Sequence, residues 1–435
     1  MISVEEARAI VLDWCRPLPF ACVPLDQALG RLLAEPVVSD IDLPPFDKAL
    51  VDGYAVRSSE CADPGPHRLV IGEEIPAGKT PTRSLAVGEA AVIMTGAPLP
   101  DGADAVVMHE KSRIGEDGRV LLPGPISPGE GCLKRGREMK AGQVVLQARD
   151  FLDAIKLGVL ASVGQSLVTV APRPRVVIIP TGDELVPVDE RPGPGQIRET
   201  NSTVLSGFVR SMHADASVHA TVPDEPEALR IAIAKALAHR PDVLILCGGV
   251  SAGKRDLVPG ALVANGVTTL FHKVRVKPGK PLLFGIATHG VPLPNRADHN
   301  DWTATENSAG LLRPEDALTL VYGLPGNPVS GIVGFLLFVA PVLRRMAMGG
   351  VMGNSWYPTF EGADRIRLAA PFRQRGDRPT YHPVARIPFG GPVTPLPWAG
   401  SSDLLSIAKA DGFARFEAGD RDYEAGEEVE FLSLR

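Results

Sequence analysis

The segment Leu320-Val-Tyr-Gly-Leu-Pro-Gly-Asn-Pro-Val-Ser330 most constrains what this chain can fold into. An apolar run suited to a buried strand stops at a Pro/Gly turn, just where Asn327 or Ser330 can cap the long apolar helix that follows. A turn of this build aims backbone N–H groups past the open end of a strand, where an anion can sit. Three loops of similar make lie upstream: Pro180-Thr-Gly-Asp-Glu-Leu185, Gly248-Gly-Val-Ser-Ala-Gly-Lys-Arg-Asp256 and Lys273-Val-Arg-Val-Lys-Pro-Gly-Lys-Pro281. Together the four loops describe one pocket for a phosphate-bearing ligand.

The text around them alternates between strands and helices. After Arg175-Val-Val-Ile-Ile179 the pattern predicts a helix near 201–213, a strand at 216–222, a helix at 225–239, a strand at 242–247 and a helix near 256–265. Strands near 267–286, a strand at 319–323 and a helix at 328–347 complete the series. Near-continuous apolar strands alternating with helices indicate a mostly parallel sheet covered by helices, whose ligands bind beyond the carboxyl ends of the strands. The polar stretch 294–316 has no usable period and is expected to be a mobile insertion.

The flanks differ. Ser3 and Glu6 form a capping box for a helix through about Trp14, and Leu25, Ala28, Leu29 and Leu32 carry helical spacing. Between 46 and 140, short alternating runs and turns predict a β-rich domain. Asp150 then opens an apolar helix over 151–163, expected to pack on the N-terminal helices. The resulting division is 1–45 plus 141–172 as a discontinuous helical domain, 46–140 as the β-rich domain, 173–350 as the α/β domain and 351–435 as an all-β domain.

At 435 residues the chain exceeds one ordinary hydrophobic core, which supports several domains. A formal net charge of −6 argues against a nucleic-acid partner, so any anion site must be local. The five cysteines are scattered and odd in number, with no C-x-x-C pair, which fits a reducing cytosol. The N-terminus lacks a basic and apolar leader, and no uninterrupted apolar run reaches about 18 residues, so a cytoplasmic protein without membrane contact is expected.

Four constellations carry chemistry. Asp183 and Glu184, after a buried strand, are placed at a pocket mouth where carboxylates can hold Mg²⁺ or position a nucleophile; a plain turn with a solvated acidic residue would read the same. Gly248 to Lys254 matches G-x-x-x-x-G-K, but Arg255 stands where a metal-ligating Ser or Thr belongs, so a backbone cradle with Asp256 facing the site is favoured over a nucleotide P-loop. Lys273, Arg275 and Lys277 alternate with two valines and would share one face of a strand, with Lys280 following: an anion signal, or an edge strand guarded by cations. In the β-rich domain, Phe46 to Ala55 and Met94 to Asp104 pair acidic and hydroxyl groups with glycine turns. His109 beside Glu110 offers a ligand pair or a structural strand end.

Taken in order, Asp47…Asp52-Gly-Tyr-Ala55, Met94-Thr-Gly-Ala97, Thr181-Gly-Asp-Glu184, Gly248-Gly-Val-Ser251…Asp256, Lys277-Pro-Gly-Lys-Pro281 and Gly323-Leu-Pro-Gly-Asn-Pro-Val-Ser330 resemble the molybdopterin molybdenumtransferase family, MoeA and the E domain of gephyrin. The resemblance covers essentially the whole chain. It implies a MogA-like molybdopterin-binding fold for the central α/β domain, a C-terminal β-barrel-like domain and a homodimer. It further implies molybdenum insertion into adenylylated molybdopterin, using molybdate and Mg²⁺ and releasing AMP. Carried over by position, Asp52, Glu184 and Asp256 would be catalytic and Asp183, Glu184 and Asp256 would hold metal. Thr95, Ser251, Lys273, Lys277, Lys280, Pro325 and Pro328 would line the substrate site. The chain departs from the family pattern at Lys48, Ala49, Glu138 and Lys254. A separate molybdopterin adenylyltransferase and recipient molybdoenzymes are the implied partners; an adenylyltransferase activity, or a weakened scaffold homologue, is the alternative.

Overall fold

The computed structural model describes residues 1–250, 257–289, 318–347, 364–387 and 391–434. Ser251, Lys254, Asp256 and the stretch 294–316 therefore lie outside the described residues. The chain divides into two compact units, Cys22–Val170 and the combination of Met1–Ala21 with Ala171–Arg435.

The larger unit is built on a six-stranded sheet. Its strands lie in the order Asp215–Val218, Arg175–Pro180, Val243–Cys247, Leu318–Leu324, Leu283–Thr288 and Thr268–His272. The first four are parallel, and the last two join antiparallel. The strand Val243–Cys247 is buried at every position, as its unbroken Val-Leu-Ile-Leu-Cys text requires of a strand covered on both faces. Helices Asn201–Ser211, Pro226–Ala238 and Val258–Ala264 cover the sheet, close to the expected spans.

The helix Pro328–Ala347 is long and apolar enough to cross a membrane, but most of it is buried in the protein. Its interior position explains why it is almost wholly apolar as far as Leu343, before Arg344 and Arg345 enter the last turn. Phe335 and Phe338 are fully buried there, and five residues from Phe335 to Val339 take π-helical form. From Asp364 the described residues of the C-terminal part form a five-stranded antiparallel sheet with one short helix, Leu404–Ala408.

The N-terminal helix Val4–Trp14 has its predicted capping box, with Ser3 and Glu6 bonded reciprocally. Its buried Val4, Ala7, Val11 and Trp14 join the core beneath the α/β sheet, where the sequence had suggested a partnership with residues 141–172.

The smaller unit carries a six-stranded sheet in the order Ala105–Met108, Gly53–Val56, Glu89–Ile93, His67–Ile75, Val120–Leu122 and Arg113–Ile114. Two helices depart from expectation. The spacing at Leu25 to Leu32 yields only a single 3-10 turn, Leu25–Gln27, because Pro24 precedes it and Gly30 takes a positive φ of 73°. The apolar helix starts at Ala154 and runs to Ser162, with Asp153 as its cap; Asp150 instead accepts from the Gln147 N–H at 2.8 Å and pairs with Lys156 at 3.0 Å.

Candidate functional site

The parallel strands Arg175–Pro180, Val243–Cys247 and Leu318–Leu324 end at one edge of the sheet, and from there Thr181, Gly248 and Pro325 begin the predicted loops. The fourth loop reaches the same edge by the opposite route. Because Leu283–Thr288 is antiparallel, with Leu283 opposite Gly323, it is its amino end that carries Pro281 there. Strand Arg175–Pro180 has sequence neighbours on both sides, which makes this edge a topological switch point, the usual position of a ligand crevice.

A cavity of about 640 Å³ opens at this point. It is lined by Thr181, Gly182 and Glu184 from the first loop, by Gly248, Gly249 and Val250 from the second, and by Pro281. Pro325, Gly326, Asn327 and Pro328 close another side. Glycine is a necessity at 248: its φ is 110°, and a Cβ there would stand 2.4 Å from the Thr181 carbonyl oxygen. The loop can approach its neighbour this closely only without a side chain.

The capping arrangement differs from expectation. Asn327 precedes the long helix but makes no side-chain cap bond, and Ser330 is a buried helical residue. The Val329 N–H donates to the Ser401 carbonyl at 3.0 Å, so a C-terminal segment, with Ser402 and Leu404 on the cavity wall, satisfies this helix end.

Of the predicted site residues, Glu184, Pro325 and Pro328 line the cavity. Asp183 does not; its Oδ1 accepts from the Asp224 N–H at 2.9 Å, which brings the loop of Asp224 to the cavity wall. Lys273, Lys277 and Lys280 are not among its lining residues either. Their segment is no continuous strand: Lys273 takes a φ of 88°, and only isolated bridges occur at Val274 and Lys277. The alternation still holds in burial, since Val274 and Val276 are buried while Arg275 and Lys277 are exposed. The backbone of Lys277 bonds to both Pro379 and Tyr381, which ties the segment to the C-terminal sheet instead.

Asp52 and Thr95 belong to the smaller unit and do come together. Asp52 Oδ1 accepts from the Thr95 N–H at 2.6 Å and from its hydroxyl at 2.7 Å. These two bonds hold the exposed Asp52 carboxyl below the usual aspartate range, with a smaller contribution from nearby His109. On the same unit the two departures at Lys48 and Glu138 face each other, their charged atoms 3.4 Å apart. Lys134 pairs with Asp47 and Arg135 with Asp42, both at 2.7 Å, so three ion pairs join the stretch 42–48 to 134–138.

Sequence reasoning missed Arg198, Thr200 and Asp224, which all line the cavity. Asp224 was within reach of the same logic, because it lies beyond the strand Asp215–Val218 and just before Pro226 opens a helix. Arg198 offered no signal: its strand, Ile197–Arg198, is two residues long and follows a Pro/Gly-rich stretch.

A glycine-built cavity at the switch point of an α/β sheet, with β-sheet regions before and after it in sequence, defines a multidomain α/β protein with a candidate small-molecule site at the strand ends. Comparison with known proteins sharpens that class. Three family models match in order: "MoeA N-terminal region (domain I and II)" over residues 2–164, "Probable molybdopterin binding domain" over 177–345 and "MoeA C-terminal region (domain IV)" over 365–434. The molybdopterin molybdenumtransferase of Nostoc sp. is 34% identical, over 95% of this chain and 88% of its own length. Molybdopterin molybdenumtransferase 2 of Mycobacterium tuberculosis is 35% identical, with both chains covered completely. The crystal structure of the molybdopterin biosynthesis MoeA protein from Pyrococcus horikosii superposes with a TM-score of 0.72 at 29% identity, covering 100% of this chain and 99% of that one. The chain belongs to the molybdopterin molybdenumtransferase (MoeA) family, a family of transferases of molybdenum cofactor biosynthesis.

Proposed function

We propose that this protein inserts molybdenum into adenylylated molybdopterin, taking molybdate as the metal source, releasing AMP and forming molybdenum cofactor. The observation that carries the reading is the cavity itself, in which strand-end backbone, the acidic residues Glu184 and Asp224 and the basic residue Arg198 line one space of about 640 Å³. Phosphates and molybdate are oxyanions, so backbone N–H groups and a cation suit them.

Mg²⁺ fits this donor set. Magnesium is held by one or two carboxylates together with water and substrate phosphates, and two carboxylates line the cavity. Glu184 and Asp224 would hold the ion, and Asp183 would orient the Asp224 loop through its 2.9 Å bond to that backbone. An ion held by these residues would supply positive charge to offset that developing at the phosphoanhydride P–O bond. The residues Gly248 and Gly249 admit the ligand close to the backbone, and Pro325 and Pro328 give the cavity rigid walls. Ser251 and Asp256, on the continuation of the glycine loop, belong to the same proposal, as does the basic segment Lys273, Lys277 and Lys280 leading into Pro281.

The proposal includes a cytoplasmic homodimer. The helix Ala154–Ser162 supports it: only Leu160 is buried, while Ile155 is 78% exposed, and an apolar helix with so little cover suits a second copy of the chain. The proposal divides the chain at 45, 140, 172 and 350, with the first and third stretches serving dimerisation. In the dimer, Asp52 and Thr95 of one subunit complete the cavity of the other. A separate adenylyltransferase supplies the substrate, and molybdoenzymes take the product.

The test is AMP release from adenylylated molybdopterin with and without molybdate and a divalent cation. Release that requires both is expected. Molybdate-independent consumption of ATP and molybdopterin would replace this reading with adenylyltransferase activity, and no turnover with substrate bound would indicate a scaffold.

A further inference from the structure

The cavity's charges are unevenly divided. Its described lining carries two carboxylates, Glu184 and Asp224, and a single cation, Arg198. An anionic ligand entering between two carboxylates needs positive charge on the wall itself, and the lysines that the sequence singled out do not line it.

Arg198 is also built into place. Its strand pairs in parallel with Leu185–Val186, Leu185 opposite Ile197 and Val186 opposite Arg198. The Ile197 N–H donates to the Glu184 carbonyl at 2.8 Å, and the Glu199 N–H to the Val186 carbonyl at 2.9 Å. Glu184 and Arg198 are thus carried on one two-stranded element. At the far end of the strip, Asn201 Nδ2 donates to the Gly326 carbonyl at 2.7 Å, which fixes it to the Pro-Gly-Asn-Pro turn. Between these anchors Glu199 is buried and accepts from both the N–H and the hydroxyl of Ser202. The Arg198 Nε–H donates to the Glu190 carbonyl at 2.9 Å, so the guanidinium plane is held from its stem side. No carboxylate pairs with it among the described residues.

We propose that Arg198 is the phosphate-recognising residue of the cavity, presenting its two amino groups as a fork to the phosphoryl oxygens of a nucleotide ligand. This assignment rests on the proposed function. A planar fork matches phosphate geometry, whereas an ammonium acts only as a point charge. Thr200, the next polar side chain of the strip on the cavity wall, offers a hydroxyl alongside.

The experiment is calorimetric titration of the full chain with AMP, and separately with molybdate, at several salt concentrations. Variants are Arg198→Ala, Arg198→Lys and, as a control for lost surface charge, Lys79→Ala. Arg198→Ala is expected to weaken AMP binding by about tenfold or more, as loss of a charge-assisted bond does, and to flatten its salt dependence. Arg198→Lys should restore the salt dependence but only part of the affinity, and Lys79→Ala should bind as wild type. Equal AMP binding by wild type and Arg198→Ala, or weakening of molybdate binding alone, overturns the assignment while leaving the cavity as the site. Failure of the wild-type chain to bind AMP at all overturns the proposed function on which the assignment rests.

Discussion

The cavity of the larger unit and the Asp52–Thr95 pair of the smaller one use the same chemical vocabulary, acidic and hydroxyl groups beside glycine turns, yet they are built differently. The cavity is a recess open to solvent on one side: its walls come from the ends of three strands and the start of a fourth, and its close approach depends on Gly248. Asp52 and Thr95 are exposed, bonded to each other at 2.6 and 2.7 Å, on the surface of their own sheet. A recess with several walls can hold a ligand, while an exposed pair can only contribute a group to a ligand held elsewhere. That contrast is what motivates a site assembled from both.

The largest effect should follow from filling the cavity's glycine position. Gly248→Ala places a Cβ 2.4 Å from the Thr181 carbonyl oxygen at a φ of 110°. Strain and overpacking together should lower stability by about 2 to 4 kcal/mol, read by denaturant unfolding, and remove ligand binding. An active Gly248→Ala protein would mean that the ligand does not approach this backbone.

Next in size is the contrast between carboxylates on the two units. Glu184→Ala should leave the fold intact, since Glu184 is exposed on a loop, while turnover falls about a hundredfold if it stabilises a charged transition state. Asp52→Asn should lower turnover by about tenfold, with ligand affinity nearly unchanged, because an amide still accepts from Thr95 but lacks the charge. Parallel losses of stability and activity in either variant would give that residue a structural role.

The smallest effect separates Asp52 from a carboxylate that is structural. Glu89 is buried in the smaller unit, where Arg83 and the Ala86 N–H hold its pKa down at about 2, from an ordinary 4.5. A depressed folded-state pKa contributes stability that is fully present above about 4.5 and lost as pH falls through about 2. The melting-temperature gap between wild type and Glu89→Gln should therefore be constant near neutrality and close in acid, with turnover at pH 7 unaffected. A gap that widens as pH falls would contradict the sign of this linkage.

Much of the α/β fold could be read in the sequence, because buried strands are apolar throughout and their lengths are set by the helices between them. The helix Pro328–Ala347 and the strand Leu318–Leu324 fall within a residue or so of expectation. The cavity was legible as four glycine- and proline-rich loops, of which all four reach it, although Pro281 arrives from the amino end of an antiparallel strand. What local pattern could not give was the direction of side chains in irregular backbone. Lys273, Lys277 and Lys280 alternate as a strand would, yet the positive φ at Lys273 and the bonds of Lys277 to the C-terminal sheet take the segment off the cavity wall. Arg198 was invisible for the converse reason: a two-residue strand has no period, and only its pairing with Leu185–Val186 brings it to the wall. The apolar text at Leu25 to Leu32 failed because tertiary packing and Gly30 left room for one turn.

The central claim, that a complete site joins the two regions across a subunit boundary, is tested most directly by mixing inactive chains. Asp52→Ala and Glu184→Ala proteins, each inactive alone, are unfolded together, refolded and assayed for molybdate-dependent AMP release. In a two-fold dimer with shared sites, each heterodimer has one site carrying both intact residues, so random pairing should restore about one quarter of wild-type turnover. No recovery, with heterodimers demonstrated by mass, would place Asp52 and Glu184 of one chain in the same site and contradict the account.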